Sequence, residues 1–275
     1  MVILETKEPL EKPRSVEEWV AQIKATWKEA SEFKVDQEKL KHLAIICDGN
    51  RRAAKDLKLH PYFGHQAGVE TIKCISRACR KWDIHTLTFW VWSTENWERE
   101  KKQVDFIMKI ASKNLLDQDL LQELKENEVK FIHLGEKEGL PLKIKLGLEN
   151  LEKETKTFNS HQLNLALNYG GLNEITRAFQ KMFKSYQEGK FNPISLKKNP
   201  KIILEFLDTA KQATPDLIIR TGIKEGEIPH MSGFMPLQST YSCWQFLPDL
   251  FPNLKPQNLL ESIKLFQDYQ RRFGR

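Results

Sequence analysis

From residue 42 onward, short and almost uniformly apolar runs alternate with longer stretches whose apolar positions recur every three or four residues. The runs at 42–47, 84–93, 129–134, 162–168 and 216–220 predict strands, with a shorter one near 244–247. The periodic stretches at 66–82, 100–127, 141–157, 171–188, 199–212 and 256–272 predict helices. This strand-then-helix rhythm predicts an α/β fold, a single domain with a central, mainly parallel sheet flanked by helices. Runs such as AIIC and LIIR, apolar at consecutive positions, suit strands covered on both faces. Upstream, SVEEWVAQIKATWKEASEF opens on a capping box, Ser15 to Glu18, and sets Val16, Trp19, Val20, Ile23 and Trp27 at helical spacing. The chain is therefore read as an extension with one extra helix, 1–38, followed by the main domain, 39–275.

In parallel sheets ligands bind beyond the carboxyl ends of the strands. The unusual polar clusters of this chain stand at those positions: DGNRR after 42–47, STENWER after 84–93, NYGGLNE after 162–168 and RTG after 216–220. Four clusters are thus expected on one rim.

Their chemistry suits an anion. In DGNRR, Gly49 lets the backbone approach a phosphate, the amides of the next helix point toward it, and Asn50 can donate as well. Arg51 and Arg52 bring guanidinium forks, and Asp48 stands where it could hold Mg²⁺ against phosphate oxygens. A phosphatase of the haloacid dehalogenase type also begins on a strand ending in Asp, but needs a second Asp where this chain has Asn50. His65, in FGHQAG, is a candidate diphosphate contact or a structural hydrogen-bonder. STENWER offers Ser93, Thr94, Glu95, Asn96, Trp97 and Arg99, either as ligands or as a helix cap. Trp90, Trp92 and Trp97 around it either mark an apolar cavity beside the polar rim or are core aromatics of the strand. Arg220 closes its strand as an anion ligand, and His230 and Ser232 follow in HMSGFMPLQSTYS.

Bulk composition excludes more than it identifies. The 275 residues are 40% hydrophobic and 29% charged, with a formal net charge of +6. No apolar stretch approaches the roughly 18 residues needed to span a bilayer. The N-terminus carries acids and proline instead of a signal-peptide core, so a cytoplasmic protein is expected. Four cysteines, Cys47, Cys74, Cys79 and Cys243, form no metal-ligand spacing. The net positive charge is scattered among glutamates, without the basic stripe of a nucleic-acid binder, and no nucleic-acid partner is expected.

Taken together, HLAIICDGNRRAAK, the spaced FGH, STENW, NYGG, PDLIIRTG and the terminal RRFG make the chain resemble the cis-prenyltransferases, the family of undecaprenyl and dehydrodolichyl diphosphate synthases. The similarity runs from about His42 to Gly274 and leaves out the extra helix. It implies an Mg²⁺-dependent enzyme that condenses isopentenyl diphosphate with an allylic prenyl diphosphate to give a (Z)-polyprenyl diphosphate. By that resemblance the allylic diphosphate meets Gly49, Asn50, Arg51, Arg52 and His65, isopentenyl diphosphate binds near Arg220, His230 and Ser232, and Asp48 holds the metal. Asn96, with Ser93 and Glu95, assists proton removal and positioning. A homodimer, an apolar tunnel and a C-terminal tail, Arg272-Phe273-Gly274, that approaches the site are also implied. A long product would be insoluble, so peripheral membrane contact is expected with it.

The chain departs from the family at four places. Ala53 stands for a Trp, Pro61 for an Arg, and His230, after four extra residues, for a second Arg. Cys243 stands for a Glu that partners Mg²⁺ in relatives. Glu225 or Glu227 is the candidate replacement carboxylate. These departures keep a second reading open: a branching or cyclising short-chain condensing enzyme, or a weakly active partner subunit.

Overall fold

The computed structural model describes residues 12–210, 212–224 and 226–269, so Glu225 and the Arg272-Phe273-Gly274 tail lie outside the described residues. Six strands form one sheet: β1 (His42–Ile46), β2 (Thr86–Ser93), β3 (Val129–Leu134), β4 (His161–Tyr169), β5 (Leu217–Arg220) and β6 (Cys243–Phe246). The order is β3-β4-β2-β1-β5-β6 and every pairing is parallel, so all strands end on one edge. The sheet is covered on both faces, as the apolar runs require. Leu43, Ile45, Leu87, Phe89, Leu217 and Ile219 join one core, whereas Ala44, Ile46, Trp90 and Ile218 join another. Alternation along each strand assigns those two sets to opposite faces.

The helices are α1 (Val16–Lys28), α2 (Asn50–Asp56), α3 (Phe63–Lys81), α4 (Lys101–Leu115), α5 (Gln118–Glu126), α6 (Leu142–Thr155), α7 (Gly171–Gln187), α8 (Ile194–Lys198) and α9 (Pro256–Asp268). The N-terminal helix forms on the predicted Ser15 cap, but as half of a capping box: Ser15 Oγ accepts the Glu18 N–H at 3.2 Å, while Glu18 Oε2 accepts the Arg14 N–H at 2.7 Å. Its stripe of Val16, Trp19, Ile23 and Trp27 is buried, and Trp19 Nε1 donates to Asn253 Oδ1 at 3.2 Å. α1 packs on α3, bracing from outside the helix that carries His65. Burial of each such apolar side chain stabilises by about 1.5–3 kcal/mol.

Two expected helices take other forms. The stretch 100–127 is two helices, because the chain leaves α4 at Leu115 and Asp117 caps α5, its side chain accepting the Asp119 N–H at 3.1 Å. The apolar spacing continues across the joint, which hides it from periodicity. The stretch 199–212 is a 3₁₀ turn over Pro200–Phe206, preceded by α8. The chain after it is held by Asp208, which receives Arg177 Nη1 and Nη2 at 2.5 and 2.6 Å and the Gly135 N–H at 2.9 Å. Those tertiary ties override local helix preference.

Candidate active site

The strand ends gather the predicted chemistry, centred on Asp48 at the mouth of β1. Its carboxylate lies between two guanidinium groups: Oδ1 receives Arg52 Nη2 at 3.1 Å and Oδ2 receives Arg220 Nη2 at 3.1 Å. The Gly49 N–H also donates to Oδ1, at 2.6 Å. Thr221, which the sequence reading passed over, holds the strand end itself. Its Oγ1 accepts the Asp48 N–H at 3.1 Å and lies 2.9 Å from the Asp48 carbonyl and 3.1 Å from the Ile46 carbonyl. Arg52 donates its other arm to the Gly222 carbonyl at 2.7 Å. Arg220 is buried, and its Nη1 donates to the His230 carbonyl at 2.5 Å and to Ser232 Oγ at 2.8 Å. His230 Nδ1 lies 3.2 Å from the same Nη1. Ser232 Oγ lies 2.9 Å from the same ring nitrogen.

A second cationic group faces the cleft without a counter-charge. Arg51 Nη1 donates to Gln103 Oε1 at 3.4 Å, and Arg99 lies over the Trp92 ring, 5.3 Å from its centroid. Among the described residues neither arginine is in an ion pair. Burial and the nearby Arg51 lower the Arg99 pKa. His65 sits against both arginines. Burial first, then Arg99 and Arg51, lowers its pKa from 6.5 to about 3, so the imidazole is neutral in the ligand-free cleft.

The helix pair α2–α3 is packed through glycine. A Cβ on Gly64 would lie 1.8 Å from the Asn50 carbonyl oxygen, and one on Gly68 would lie 2.4 Å from Asn50 Oδ1. Only hydrogen at both positions lets α3 approach the turn bearing Asn50, whose Nδ2 donates to the Cys47 carbonyl at 2.8 Å. Gly64→Ala is expected to destabilise the fold by about 1–3 kcal/mol and to lower diphosphate affinity. Urea unfolding and substrate titration would check this, and unchanged values would mean that α2 and α3 do not depend on their close approach.

STENWER serves two purposes. Ser93 and Asn96 form a capping box over the 3₁₀ turn Thr94–Glu98, with Asn96 Oδ1 accepting the Ser93 N–H at 3.3 Å. Both nevertheless line the cleft, as does Glu95. Burial raises the Glu95 pKa, but hydrogen bonds from its own backbone N–H, Ser93 and Thr94 outweigh it and leave the net shift downward. Thr94, Trp97, Arg220 and His230 are absent from the cleft wall. Thr94 packs against Gly170, while Trp97 Nε1 donates to Asn168 Oδ1 at 2.7 Å and its ring meets Trp92 edge-on. NYGG is scaffolding too: Tyr169 is buried with its hydroxyl on Glu174 at 2.7 Å, and a Cβ on Gly171 would strike the Gly233 carbonyl at 2.1 Å.

The polar cleft has a volume of about 600 Å³ and is lined by Asp48, Asn50, both neighbouring arginines, His65, Arg99 and Ser232 among others. An apolar cavity of about 140 Å³ adjoins it and shares Cys47, Asn50, His65, Val91 and Trp92 with it. Asn50 Oδ1, His65 Nε2, Trp92 Nε1, Gln103 Nε2 and Arg220 Nε are buried here without a partner, five of the six such atoms among the described residues. Buried polar groups are ordinarily satisfied, so their concentration around one cleft points to a polar ligand. Gln103 had no sequence signal, since it lies within an amphipathic helix.

The donor set suits Mg²⁺ only in a shared mode. Among the described residues no three metal-ligating side chains converge. One carboxylate, with substrate phosphate oxygens and water, is a normal Mg²⁺ environment, and Asp48 supplies it. Cys243 begins β6 and pairs with Leu217, three residues before the pair formed by Arg220 and Phe246. It therefore lies about 10 Å along the strand from the rim. Glu227 Oε2 accepts the Lys224 N–H in its own turn at 3.1 Å and does not line the cleft.

Two buried histidines link stability to pH. His42 Nδ1 donates to the Ala213 carbonyl at 2.8 Å, and burial lowers its pKa from 6.5 to about 4, against the opposing effect of that bond. With His65 also depressed, the unfolded chain takes up more protons than the folded one below pH 6.5. Stability is therefore intact above that value and lost as pH falls toward 4, by about 2 kcal/mol per histidine between pH 6.5 and 5. Urea midpoints at the two pH values would check this, and equal midpoints would contradict it.

Comparison with known proteins identifies the family. The family model for prenyltransferases of the undecaprenyl diphosphate synthase type matches residues 46–274. An isoprenyl transferase of Bacillus cereus is 37% identical over 233 residues, 85% of this chain and 87% of that protein. A tritrans,polycis-undecaprenyl-diphosphate synthase (geranylgeranyl-diphosphate specific) of Thermococcus kodakarensis is 35% identical over 86% of this chain and 87% of its own length. The crystal structure of lavandulyl diphosphate synthase from Lavandula x intermedia, in complex with dimethylallyl diphosphate, superimposes with a TM-score of 0.79 at 30% identity, covering 87% of this chain and all of that one. With its match to the family model and these relatives, the chain belongs to the cis-prenyltransferase family of undecaprenyl diphosphate synthases.

Proposed function

We infer that this protein is a prenyltransferase that joins isopentenyl diphosphate to an allylic prenyl diphosphate and extends the chain in the cis configuration. One observation carries the reading: uncompensated cations and unpartnered polar atoms stand at the mouth of an apolar cavity. A charged head with an apolar tail fits that combination. The head lies against Arg51, Arg52, Arg99 and the Gly49–Asn50 turn, with His65 donating a hydrogen bond, and the tail enters past Val91 and Trp92.

The bond between the allylic carbon and its diphosphate breaks, and the electron pair leaves with the diphosphate. The guanidinium groups stabilise that departing charge, an electrostatic contribution of the largest class in enzymes. When bound at Asp48, Mg²⁺ neutralises further charge on the diphosphate. The isopentenyl double bond then attacks the allylic carbon, and the carbocation so formed gives up one proton to the released diphosphate, which restores the double bond. Arg220 and Ser232 hold the second diphosphate, and Asn96 orients the reacting end, with Ser93 and Glu95 fixing the turn that bears it. The region 39–275 is the catalytic unit and 1–38 an appended brace.

Incubation with isopentenyl diphosphate, Mg²⁺ and geranyl, farnesyl or geranylgeranyl diphosphate should release diphosphate and yield longer products. Failure with every primer would overturn the reading. The likeness to lavandulyl diphosphate synthase and the modest apolar cavity favour a second reading, branched condensation of short substrates. An arm with dimethylallyl diphosphate alone tests it, since only that reading expects product there.

A homodimer accords with the exposed apolar stripe of Leu172, Phe179, Phe183 and Tyr186 along α7. Phe179→Asp with Phe183→Asp is expected to convert a dimer to a monomer in light scattering, and an unchanged mass would exclude this face. No helix among the described residues is long and apolar enough to cross a membrane, so contact with a membrane would be peripheral.

A further inference from the structure

We propose that an ionic clasp between α3 and α5 closes the far end of the apolar cavity and thereby limits how long the product grows. The proposal rests on the prenyltransferase reading and adds the residues that set product length. The cavity runs between α3, through Val69 and Ile72, and α4, through Ile107 and Ile110, toward Leu120 on α5 and Phe131 on β3. α4 is fastened away from α3: Gly147 of α6 lies so close to Leu115 that a Cβ there would meet its Cβ and carbonyl oxygen at 3.0 Å. The chain then breaks at Leu116 and Asp117, and α5 swings Leu120 onto the cavity.

Ion pairs hold α5 against α3. Arg77 forks onto Glu123, Nε to Oε1 at 3.0 Å and Nη2 to Oε2 at 2.6 Å, and Arg80 Nη2 reaches Oε1 at 2.7 Å. One turn earlier, Lys73 Nζ stands 3.7 Å from Asp117 Oδ2, and Lys73 itself lines the cavity. Lys73, Arg77 and Arg80 are spaced as one stripe along α3, flanking the residues that face the tail. Burial raises the Glu123 pKa, yet the hydrogen bonds from Arg77 and Arg80 outweigh it, so the carboxylate stays ionised and the clasp shut. A tail that outgrows the cavity presses on Leu120 and must part α5 from α3 to lengthen further. The two-residue joint at 116–117 allows that movement, and the Arg77 end of the clasp is half exposed and open to screening by salt.

The test follows product length in wild type, Glu123→Gln, Glu123→Arg, and Glu123→Arg combined with Arg77→Glu and Arg80→Glu. Glu123→Gln should lengthen the main product by one or more isoprene units while the rate of the first condensation stays within about twofold. Glu123→Arg should lengthen it further, and the charge-reversed combination should restore the wild-type distribution. Raising NaCl to 0.5 M should lengthen the wild-type product and leave the Glu123→Gln product unchanged, which keeps the test open should a variant fold poorly. Hydrogen exchange over residues 118–126 should quicken in Glu123→Gln. Condensation with identical product lengths in all proteins and at both salt levels overturns the clasp and leaves the prenyltransferase reading standing. No condensation by wild type with any primer overturns both.

Discussion

Asp48→Asn is expected to lower kcat for condensation by about 10²–10³-fold, the usual consequence of removing a group that organises charge at the reacting centre. The effect should fall on kcat more than on the KM of the allylic diphosphate. Asp48 is the one carboxylate between Arg52 and Arg220, and neutralising it frees both guanidinium groups for phosphate, which favours ground-state binding. What is lost is the carboxylate that fixes the two arginines relative to each other and that the proposed reaction uses to hold Mg²⁺. Because Asn preserves shape, the Gly49 N–H and Thr221 contacts persist, and thermal stability should change little. Steady-state kinetics across a Mg²⁺ titration would check this. A variant with wild-type kcat at saturating Mg²⁺ would remove Asp48 from the reaction.

Arg220→Lys and Arg220→Met should separate charge from geometry behind Asp48, where Arg220 is buried next to the cleft without lining it. Arg220 joins β5 to β1 through Asp48 and to the following loop through the His230 carbonyl and Ser232. A lysine keeps the charge but cannot span those partners, because its ammonium is a point and the guanidinium a fork. It should cost about 10–100-fold in kcat/KM for isopentenyl diphosphate, with the allylic KM little affected. Methionine removes the charge as well and leaves the His230 carbonyl and Asp48 Oδ2 without this donor. Activity should then fall by about 10³-fold. Separate KM measurements for the two substrates decide the matter, and equal losses for both would assign Arg220 to the scaffold.

Much of this was legible before any coordinates. Consecutive apolar residues in AIIC and LIIR indicated strands buried on both faces, and the polar residues that follow them had to stand at the carboxyl edge once the sheet was parallel. Asp48, Gly49, Asn50, Arg51, Arg52, His65, Ser93, Glu95, Asn96, Arg99 and Ser232 do line one cleft. Thr94 and Trp97, adjacent in sequence to those residues, turn into packing, because a 3₁₀ turn sends neighbouring side chains in different directions. Sequence proximity to a motif was not a contact with the ligand space.

The sequence by itself determined the strands, the edge on which the chemistry stands and the kinds of group placed there, because periodicity and residue type are local properties. Only the tertiary structure decided how those groups act. It set Arg220, 172 positions away, against Asp48, and it made His65 neutral by burying it beside Arg51 and Arg99. It exposed the need for Gly64 and Gly68 against Asn50, and it ended α4 at Leu115 so that Glu123 could meet Arg77 and Arg80. Each of these depends on distances between segments far apart in the chain, and a charge or a burial cost takes its value from such distances rather than from the order of residues.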